Sequence, residues 1–163
     1  ASFGATLCLG PFYHLQDPAD RRQVVRELHR VTRPGGFVFA AFITPYAPLY
    51  DFIKNAPQTI GVQRRNLRRW LATGLYSPPE GSRRFPHAYF ARPNDIAAEF
   101  PADAFEPQFL FGCEGIFNQS EERLKAMDAD TRQQWLDMGF ELSCSSMAIA
   151  SSEHVVFVGK RRP

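Results

Sequence analysis

Two short apolar runs near the start of the sequence flank one amphipathic stretch. Residues 3–9 and 37–43 are almost entirely apolar, which is typical of strands covered on both faces of a parallel sheet. Between them, valine and leucine recur at helical spacing over residues 24–31, after the helix-start pair Asp17-Pro18. This order predicts a helix between two parallel neighbouring strands, joined by a right-handed crossover.

The pattern changes over residues 45–93, where prolines are frequent and the helical stretches are short. We interpret this region as an insertion over one edge of the sheet rather than a second domain. Beyond it, the pattern predicts a short helix from Pro93, a strand at 108–112, one broken helix or two at 120–142, and a last strand at 154–159. The sequence therefore predicts an α/β fold with about four strands and helices on both faces of the sheet.

The length, cysteine content and hydropathy of the chain limit the class of protein. A chain of 163 residues with 44% hydrophobic residues is long enough for one domain with a single core. Its three cysteines form no CxxC pair, which argues against a disulfide framework or a zinc site and predicts a cytoplasmic setting. No apolar run approaches the ~20 residues that span a bilayer, so we expect no membrane partner.

A cluster of arginines makes the insertion locally basic, although the formal net charge of the chain is only +2. Its members are Arg64, Arg65, Arg68, Arg69, Arg83 and Arg84, with Trp70 beside them. Such a basic cluster binds nucleic acid in some proteins. Spacings of three and four place Arg65, Arg68 and Arg69 on one side of a helix, however, which favours a solvated face. We therefore favour a small-molecule partner over nucleic acid.

Residues 9–15 directly follow the first predicted strand and form the best candidate site in the sequence. Ligands of open parallel sheets bind beyond the carboxyl ends of the strands, where this segment is predicted to lie. It combines Gly10, which allows a ligand to approach closely, with the polar-tipped rings of Tyr13 and His14. The alternative interpretation is that both rings only cap the sheet and form local hydrogen bonds.

Three segments of the sequence occur in an order and spacing that resemble one family. They are Leu7-Cys8-Leu9-Gly10-Pro11-Phe12-Tyr13-His14-Leu15, then Arg26-Glu27-Leu28-His29-Arg30-Val31-Thr32-Arg33-Pro34-Gly35-Gly36-Phe37-Val38, and Ser152-Glu153-His154-Val155-Val156-Phe157-Val158-Gly159-Lys160. They resemble the fourth strand, the following helix, the fifth strand and the closing strand of class I S-adenosylmethionine-dependent methyltransferases that act on small molecules. The resemblance covers nearly the whole chain.

The resemblance implies the fold of the chain and the place of its cofactor. The fold would be the C-terminal half of a Rossmann-like methyltransferase sheet, with the last strand antiparallel, in one partial domain over residues 1–163. S-adenosylmethionine would lie beside residues 9–14, where Leu9, Gly10 and Pro11 would contact it and Tyr13 and His14 would stand between cofactor and substrate. The insertion at 45–93 would form the lid that selects the substrate.

Some parts of the family pattern have no counterpart in the sequence. The acidic glycine-rich loop, the acidic residue that holds the ribose and the adenine-contacting segment would all precede Ala1, and Gly4 stands where an aspartate is frequent. We therefore expect the chain to be the C-terminal part of a longer methyltransferase and, by itself, to bind cofactor poorly and lack activity. Its first strand would be an exposed edge, which predicts low stability or self-association through that edge.

Candidate catalytic residues follow from the chemistry of methyl transfer. Displacement at a sulfonium needs alignment of the nucleophile, and a general base helps where the acceptor loses a proton. We take His14 and His154 as catalytic candidates, although each histidine has the alternative of a structural role. The substrate-binding candidates are Tyr46, His87, Tyr89 and Glu114. His154 starts the last strand and Glu114 follows the third, so an antiparallel last strand would bring both to the ligand edge.

The sequence leaves three functions open. The first is S-adenosylmethionine-dependent methyl transfer to a small molecule, carried out as part of a longer chain. The second is a non-catalytic remnant, or a subunit that needs a partner. The third is a basic nucleic-acid-binding module centred on residues 64–69, which would bind with a steep salt dependence.

Overall fold

Six strands form two sheets in the computed structural model, which describes residues 2–78 and 86–163. The strands are β1 (Phe3–Cys8), β2 (Thr32–Ile43), β3 (Leu75–Tyr76), β4 (Ala88–Tyr89), β5 (Phe105–Gly112) and β6 (His154–Arg161). The main sheet has the order β1-β2-β6-β5, and β3 pairs with β4. β1 runs parallel to β2, whereas β6 is antiparallel to both β2 and β5. The prediction of an α/β sheet of about four strands with the last antiparallel is confirmed.

Seven α-helices surround the main sheet within the described residues. They are α1 (Pro18–Val31), α2 (Ala47–Asn55), α3 (Ile60–Thr73), α4 (Pro93–Ile96), α5 (Glu121–Ala126), α6 (Ala129–Leu142) and α7 (Ser146–Ser151). Helix α1 begins as predicted, with Pro18 in its first turn and the Asp17 carboxylate accepting a hydrogen bond from the Ala19 backbone N–H at 2.7 Å. None of these helices is both long enough and apolar enough to span a bilayer.

The main hydrophobic core lies on one face of the sheet and is rich in phenylalanine. Alternate residues of β2 point into it, namely Val38, Ala40 and Phe42. The rings of Phe100 and Phe157 stack within it, with centroids 4.2 Å apart. The intervening residues of β2 point elsewhere, to two smaller apolar clusters. The period of two along β2 therefore decides which side chains reach the core.

The insertion contains longer helices than its prolines suggest. The prediction of short helical stretches is wrong for α3, which has 14 residues. Pro48 and Pro93 each stand in the first turn of a helix, where the missing backbone N–H has no intrahelical partner to lose. These prolines start helices and do not interrupt them.

Strand β1 forms an open edge of the main sheet in the described residues. Its only strand partner there is β2, and the side chains of Phe3 and Leu7, with Leu9 just beyond the strand, are 57%, 65% and 52% exposed. The apolar pattern predicts that β1 is covered on both faces. In the described residues, one face of β1 is instead largely exposed. Exposed apolar side chains on an edge strand favour pairing with another chain, so self-association through β1 stays a prediction.

A glycine at the end of β5 should be essential for the packing of α7. A methyl group at Gly112 would meet the Ser152 hydroxyl oxygen and would lie 2.6 Å from the Ala148 carbonyl oxygen. We expect Gly112→Ala to lower the free energy of unfolding by about 2 kcal/mol, because backbone atoms must move. Gly61→Ala is the matched control, since no atom lies within 4 Å of its added methyl group and alanine favours a helix. Urea denaturation checks both, and equal stability of the two variants would contradict the packing described.

Candidate functional site

Three chain segments meet at one edge of the main sheet. Because β1 and β2 are parallel, their carboxyl ends lie at the same edge. Antiparallel β6 begins there, and its first residue, His154, pairs with Ile43 at the end of β2. This edge is the place where open α/β sheets bind ligands.

A cleft of about 960 Å³ opens at this edge, between the end of β2, the start of β6 and helices α2 and α3. Its volume falls within the range of small-molecule sites. Four aromatic side chains line it: Phe52, Trp70, Tyr76 and Phe90. Their rings contact one another in sequence, with Phe52 stacked on Trp70 at 6.3 Å between centroids and Tyr76 edge-on to Trp70 at 5.0 Å. The cleft therefore has a continuous aromatic wall.

The two helices of the insertion build this wall by regular spacing. On α2, Pro48, Phe52 and Asn55 recur every three or four residues and line the cleft together. On α3, Asn66 and Trp70 do the same. This spacing is visible in the sequence, but it becomes informative only once both segments are recognised as helices.

His154 and Glu114 form a close pair where β6 enters the cleft. The Glu114 carboxylate lies 2.7 Å from Nδ1 of the His154 ring, and its other oxygen accepts the His154 backbone N–H at 2.9 Å. An ionised carboxylate only accepts hydrogen bonds, so the Nδ1 atom carries the proton in this pair. The Nε2 atom of a neutral His154 ring is then a proton acceptor.

The pKa values of the pair shift in opposite directions. The hydrogen bond to Glu114 raises the pKa of His154 above its ordinary value, against the opposing effect of burial. Burial opposes ionisation of Glu114, but hydrogen bonds from the His154 ring and backbone outweigh it and hold the pKa of Glu114 below its ordinary value. Each partner therefore favours the charged form of the other.

Buried hydrogen bonds hold the Glu114 loop against the start of β6. The Ser152 hydroxyl accepts the Gly115 backbone N–H and donates to the Ala148 carbonyl oxygen, both at 2.8 Å. On the other side, the Thr44 hydroxyl donates to the Ser152 carbonyl oxygen at 2.8 Å. Thr44 and Ser152 are both fully buried. The position of the Glu114 carboxylate is thus set by the end of β2 and the helix α7.

Glu153 is a further carboxylate that lines the cleft. It is half-buried, and within the described part of the chain its carboxylate accepts no hydrogen bond. Burial and then the negative charge of Glu114 raise the pKa of Glu153. Two more charged residues, Asp51 and Arg69, line the cleft from its exposed rim. Nothing in the local sequence of Glu153 or Asp51 distinguishes them from surface acids, so neither is a candidate from the sequence.

The loop after β1 lies beside the same aromatic cluster. Residues Pro11–His14 form one turn of 3-10 helix, held by the fully buried ring of Phe12. The Tyr13 ring packs against the cluster that contains Ile43 and Trp70, and its hydroxyl donates to the Leu9 carbonyl oxygen at 3.2 Å. His14 Nδ1 lies 3.4 Å from the His87 carbonyl oxygen. The loop and the cleft are therefore neighbours, separated by the Tyr13 ring and the cluster that it joins.

The remaining predicted residues are not among those that line the cleft. Tyr46 borders a separate hollow with Tyr50 and Met147, and His87 places Nδ1 3.0 Å from the Ser77 hydroxyl. Tyr89 packs against the main hydrophobic core, and its hydroxyl donates to Glu99. The structure brings His154 and Glu114 together but does not bring these three residues to them.

The basic cluster of the insertion is divided by the fold. Arg64, Arg65 and Arg68 are exposed on α3. Arg69 is also exposed, but it borders the cleft. Arg83 and Arg84 lie outside the described residues.

A crystal structure described as a SAM-dependent methyltransferase from Methanosarcina mazei is similar to this chain. The TM-score is 0.52 over 99% of this chain, at 13% sequence identity, and the chain spans 60% of the length of that protein. No protein-family model and no curated protein sequence matches the chain. At this identity the likeness concerns the fold alone. The chain has a methyltransferase-like fold.

Arg21 ties the loop after β1 to the insertion. Its buried guanidinium forms an ion pair with Glu99 at 2.8 Å and lies 3.8 Å from the centroid of the Tyr89 ring. It also donates to the carbonyl oxygens of Leu15 and Gln16, at 2.9 and 3.0 Å. One side chain thus holds the loop, the strand β4 and the segment after α4 in register.

Removing the carboxylate of the close pair should change the pH dependence of stability. Folding raises the pKa of His154, so protonated His154 stabilises the fold below its ordinary value of 6.5, and this effect is lost as pH rises through the raised pKa. Folding lowers the pKa of Glu114, so its ionised form stabilises above 4.5 and loses this effect as pH falls. We expect Glu114→Gln to cost most between these two values, by about 1 kcal/mol because the pair is partly exposed.

Denaturation at several pH values, with the His154 pKa followed by NMR, measures this effect. Glu122→Gln is the control, since Glu122 pairs with Lys125 on the exposed surface. A stability loss that is the same at every pH would contradict the charge pairing.

Loss of Arg21 should destabilise the fold by leaving the Glu99 carboxylate without its cationic partner. We expect Arg21→Met to lower the free energy of unfolding by about 3 kcal/mol. The double variant Arg21→Met with Glu99→Gln should recover part of this loss, because the buried charge is then absent. Thermal and urea denaturation of the unchanged protein, the single variant and the double variant measure these differences in the free energy of unfolding. Equal stability of the single and double variants would show that the ion pair is not the cause.

Proposed function

We propose that this protein takes part in S-adenosylmethionine-dependent methyl transfer to a small-molecule acceptor. The observation that carries the proposal is the position of the His154–Glu114 pair. It stands at the mouth of an aromatic cleft, at the ligand edge of a methyltransferase-like sheet. A proton acceptor held by a carboxylate in a cleft of this size is a common arrangement for general-base catalysis.

The loop after β1 is suited to form one side of the cofactor site. Leu9 is half-exposed, Pro11 is exposed, and the nearest atom to a methyl group added at Gly10 would be the Tyr13 hydroxyl at 3.6 Å. These residues leave open space at the ligand edge, which fits an approaching ligand. We propose that Leu9, Gly10, Pro11, Tyr13 and His14 hold the cofactor. When bound, S-adenosylmethionine supplies an electrophilic methyl group on a sulfonium.

We propose that His154 is the general base of the reaction. Its Nε2 atom would accept a proton from the acceptor, while Glu114 holds the ring and stabilises the imidazolium through Nδ1. His14, whose ring lies edge-on to Tyr13 at 4.8 Å between centroids, would contact the cofactor or the substrate.

The insertion would select the acceptor. Helices α2 and α3 contribute most of the cleft wall, including Phe52 and Trp70. A lid formed by residues 45–93 would then decide the shape of the molecule that reaches His154. Tyr46 precedes Ala47 of the cleft lining, and His87 Nδ1 lies 3.0 Å from the hydroxyl of Ser77, which also lines it. Both would contact a substrate larger than the cleft, whereas Tyr89 would act only through the Arg21 network.

We propose that the remaining cofactor contacts come from residues that continue the sheet beyond β1. That edge is open and apolar in the described residues. The loop after β1 contributes no charged group between Leu9 and Tyr13, so the polar parts of the cofactor require partners from elsewhere. The chain would then act as the C-terminal part of the catalytic domain.

The proposal is tested by calorimetric titration of S-adenosylhomocysteine into the protein expressed from its complete reading frame. We expect binding, and we expect Gly10→Val to weaken it about tenfold or more, because the larger side chain fills the space beside Tyr13. Gly61→Ala on α3 should bind as the unchanged protein does.

Circular dichroism of the Gly10→Val variant separates a loss of binding from a loss of folding. No binding by the unchanged protein would overturn the proposal and would favour a non-catalytic remnant. Unweakened binding by a folded Gly10→Val variant would remove the loop after β1 from the cofactor site.

A further inference from the structure

The cleft has a distinctive combination of aromatic rings and one poorly satisfied carboxylate. The rings of Phe52, Trp70, Tyr76 and Phe90 line it, and Glu153 lines it beside His154. The Glu153 carboxylate is half-buried and accepts no hydrogen bond from the described residues. A carboxylate that is partly removed from water and accepts no hydrogen bond is less stable in its ionised form than an exposed one, and a cationic ligand would offset this cost.

The charges that act on Glu153 come from two carboxylates and two basic groups. Glu121 and Lys54 pair with each other at 3.4 Å, so their effects largely offset. The Glu114 carboxylate, 2.7 Å from the His154 ring, then leaves the net charge beside Glu153 negative when that ring is neutral. Asp51 and Arg69, of opposite charge, both stand on the exposed rim, where water screens them and their effects largely cancel. The interior of the cleft is therefore acidic as well as aromatic.

Both properties favour a cationic ligand. The faces of aromatic rings carry negative potential and attract ammonium groups, and tryptophan does so most strongly. A carboxylate beside such rings supplies the counter-charge. An acceptor hydroxyl, which must lose a proton to become a strong nucleophile, would instead develop negative charge next to Glu153 and Glu114. The surroundings oppose an oxyanion and stabilise an ammonium.

We propose that the cleft binds its acceptor as an ammonium cation, so that the substrate class is an amine attached to an apolar or aromatic body. This inference rests on the proposed function. Glu153 holds the ammonium group, and the wall formed by Phe52 and Trp70 holds the body. Glu153 is a substrate-binding residue in this arrangement, and His154 is the base.

The proposed proton transfer takes place between the bound ammonium group and His154. The N–H bond of the bound ammonium breaks, its proton moves to the Nε2 atom of neutral His154, and the bonding electron pair stays on nitrogen. The products are a neutral amine with a free lone pair and an imidazolium whose Nδ1–H donates to Glu114. The amine is then the nucleophile that methyl transfer requires, and the positive charge on His154 stays in contact with the Glu114 carboxylate.

The inference is tested with three probes of similar shape and different charge. They are 2-phenylethylamine, 2-phenylethanol and 3-phenylpropionate, titrated into the protein from its complete reading frame and followed by saturation-transfer NMR. No cofactor is present, so binding is measured apart from activity. We expect the amine to bind about tenfold more tightly than the alcohol, and the carboxylate to bind more weakly than both.

Two variants test whether Glu153 causes the preference for the amine. Glu153→Gln keeps the shape of the side chain and should abolish the preference for the amine over the alcohol. Glu106→Gln, on the exposed face of β5, removes one carboxylate far from the cleft and should leave the preference unchanged. Equal or tighter binding of the alcohol, or a preference that survives Glu153→Gln, would overturn the inference.

The outcome is separable from that of the proposed function. If S-adenosylhomocysteine binds and the amine preference is absent, methyl transfer stands and the amine class falls. If the amine preference is present and S-adenosylhomocysteine does not bind, the cation site stands and its role in methyl transfer falls.

Discussion

The antiparallel pairing of β6 with β2 is the interaction on which the candidate site depends. It sets His154 opposite Ile43, at the carboxyl end of a strand that is parallel to β1. The Thr44 backbone N–H continues the pairing one step further by donating to the Glu153 carbonyl oxygen at 2.8 Å. A shift of one residue would turn His154 to the other face of the sheet, because side chains alternate along a strand. The register of β6 on β2 therefore decides where the His154 side chain lies.

The aromatic cluster beside this pairing links the two parts of the site. Tyr13 from the loop after β1 packs on the cluster that contains Trp70 and Phe90, and the cleft lies against the same rings. Close-packed interiors transmit small displacements, so a change in the insertion would reach the loop through these rings. Arg21 gives a second connection between the same segments, through Glu99 and the loop carbonyl groups. The loop and the insertion therefore form a single packed unit.

The carboxylates of Glu114 and Glu153 differ in how far other contacts offset the cost of their burial. Glu114 regains favourable contacts from the His154 ring and backbone, which more than offset its burial. Glu153 has no comparable hydrogen bond in the described residues, and burial raises its pKa. Functional sites often retain such unfavourable groups because a ligand completes them. In our proposal, this difference between Glu114 and Glu153 is what makes the cleft selective for a cation.

The sequence by itself determined the elements whose signals are local. The apolar runs of β1 and β2, the Asp17 cap of α1 and the start of β6 at His154 all depend on neighbouring residues, and each is found in the structure. The start of β2 differs, since the strand begins at Thr32 and the pattern predicts Phe37. The expected approach of His154 and Glu114 also followed from strand direction. The tertiary structure alone decided that prolines of the insertion begin helices, that Glu153 lies in the cleft and that Tyr89 turns away to Arg21. These outcomes depend on which faces of distant segments pack together, and a side chain's burial and partners are set by that packing rather than by its neighbours in the chain.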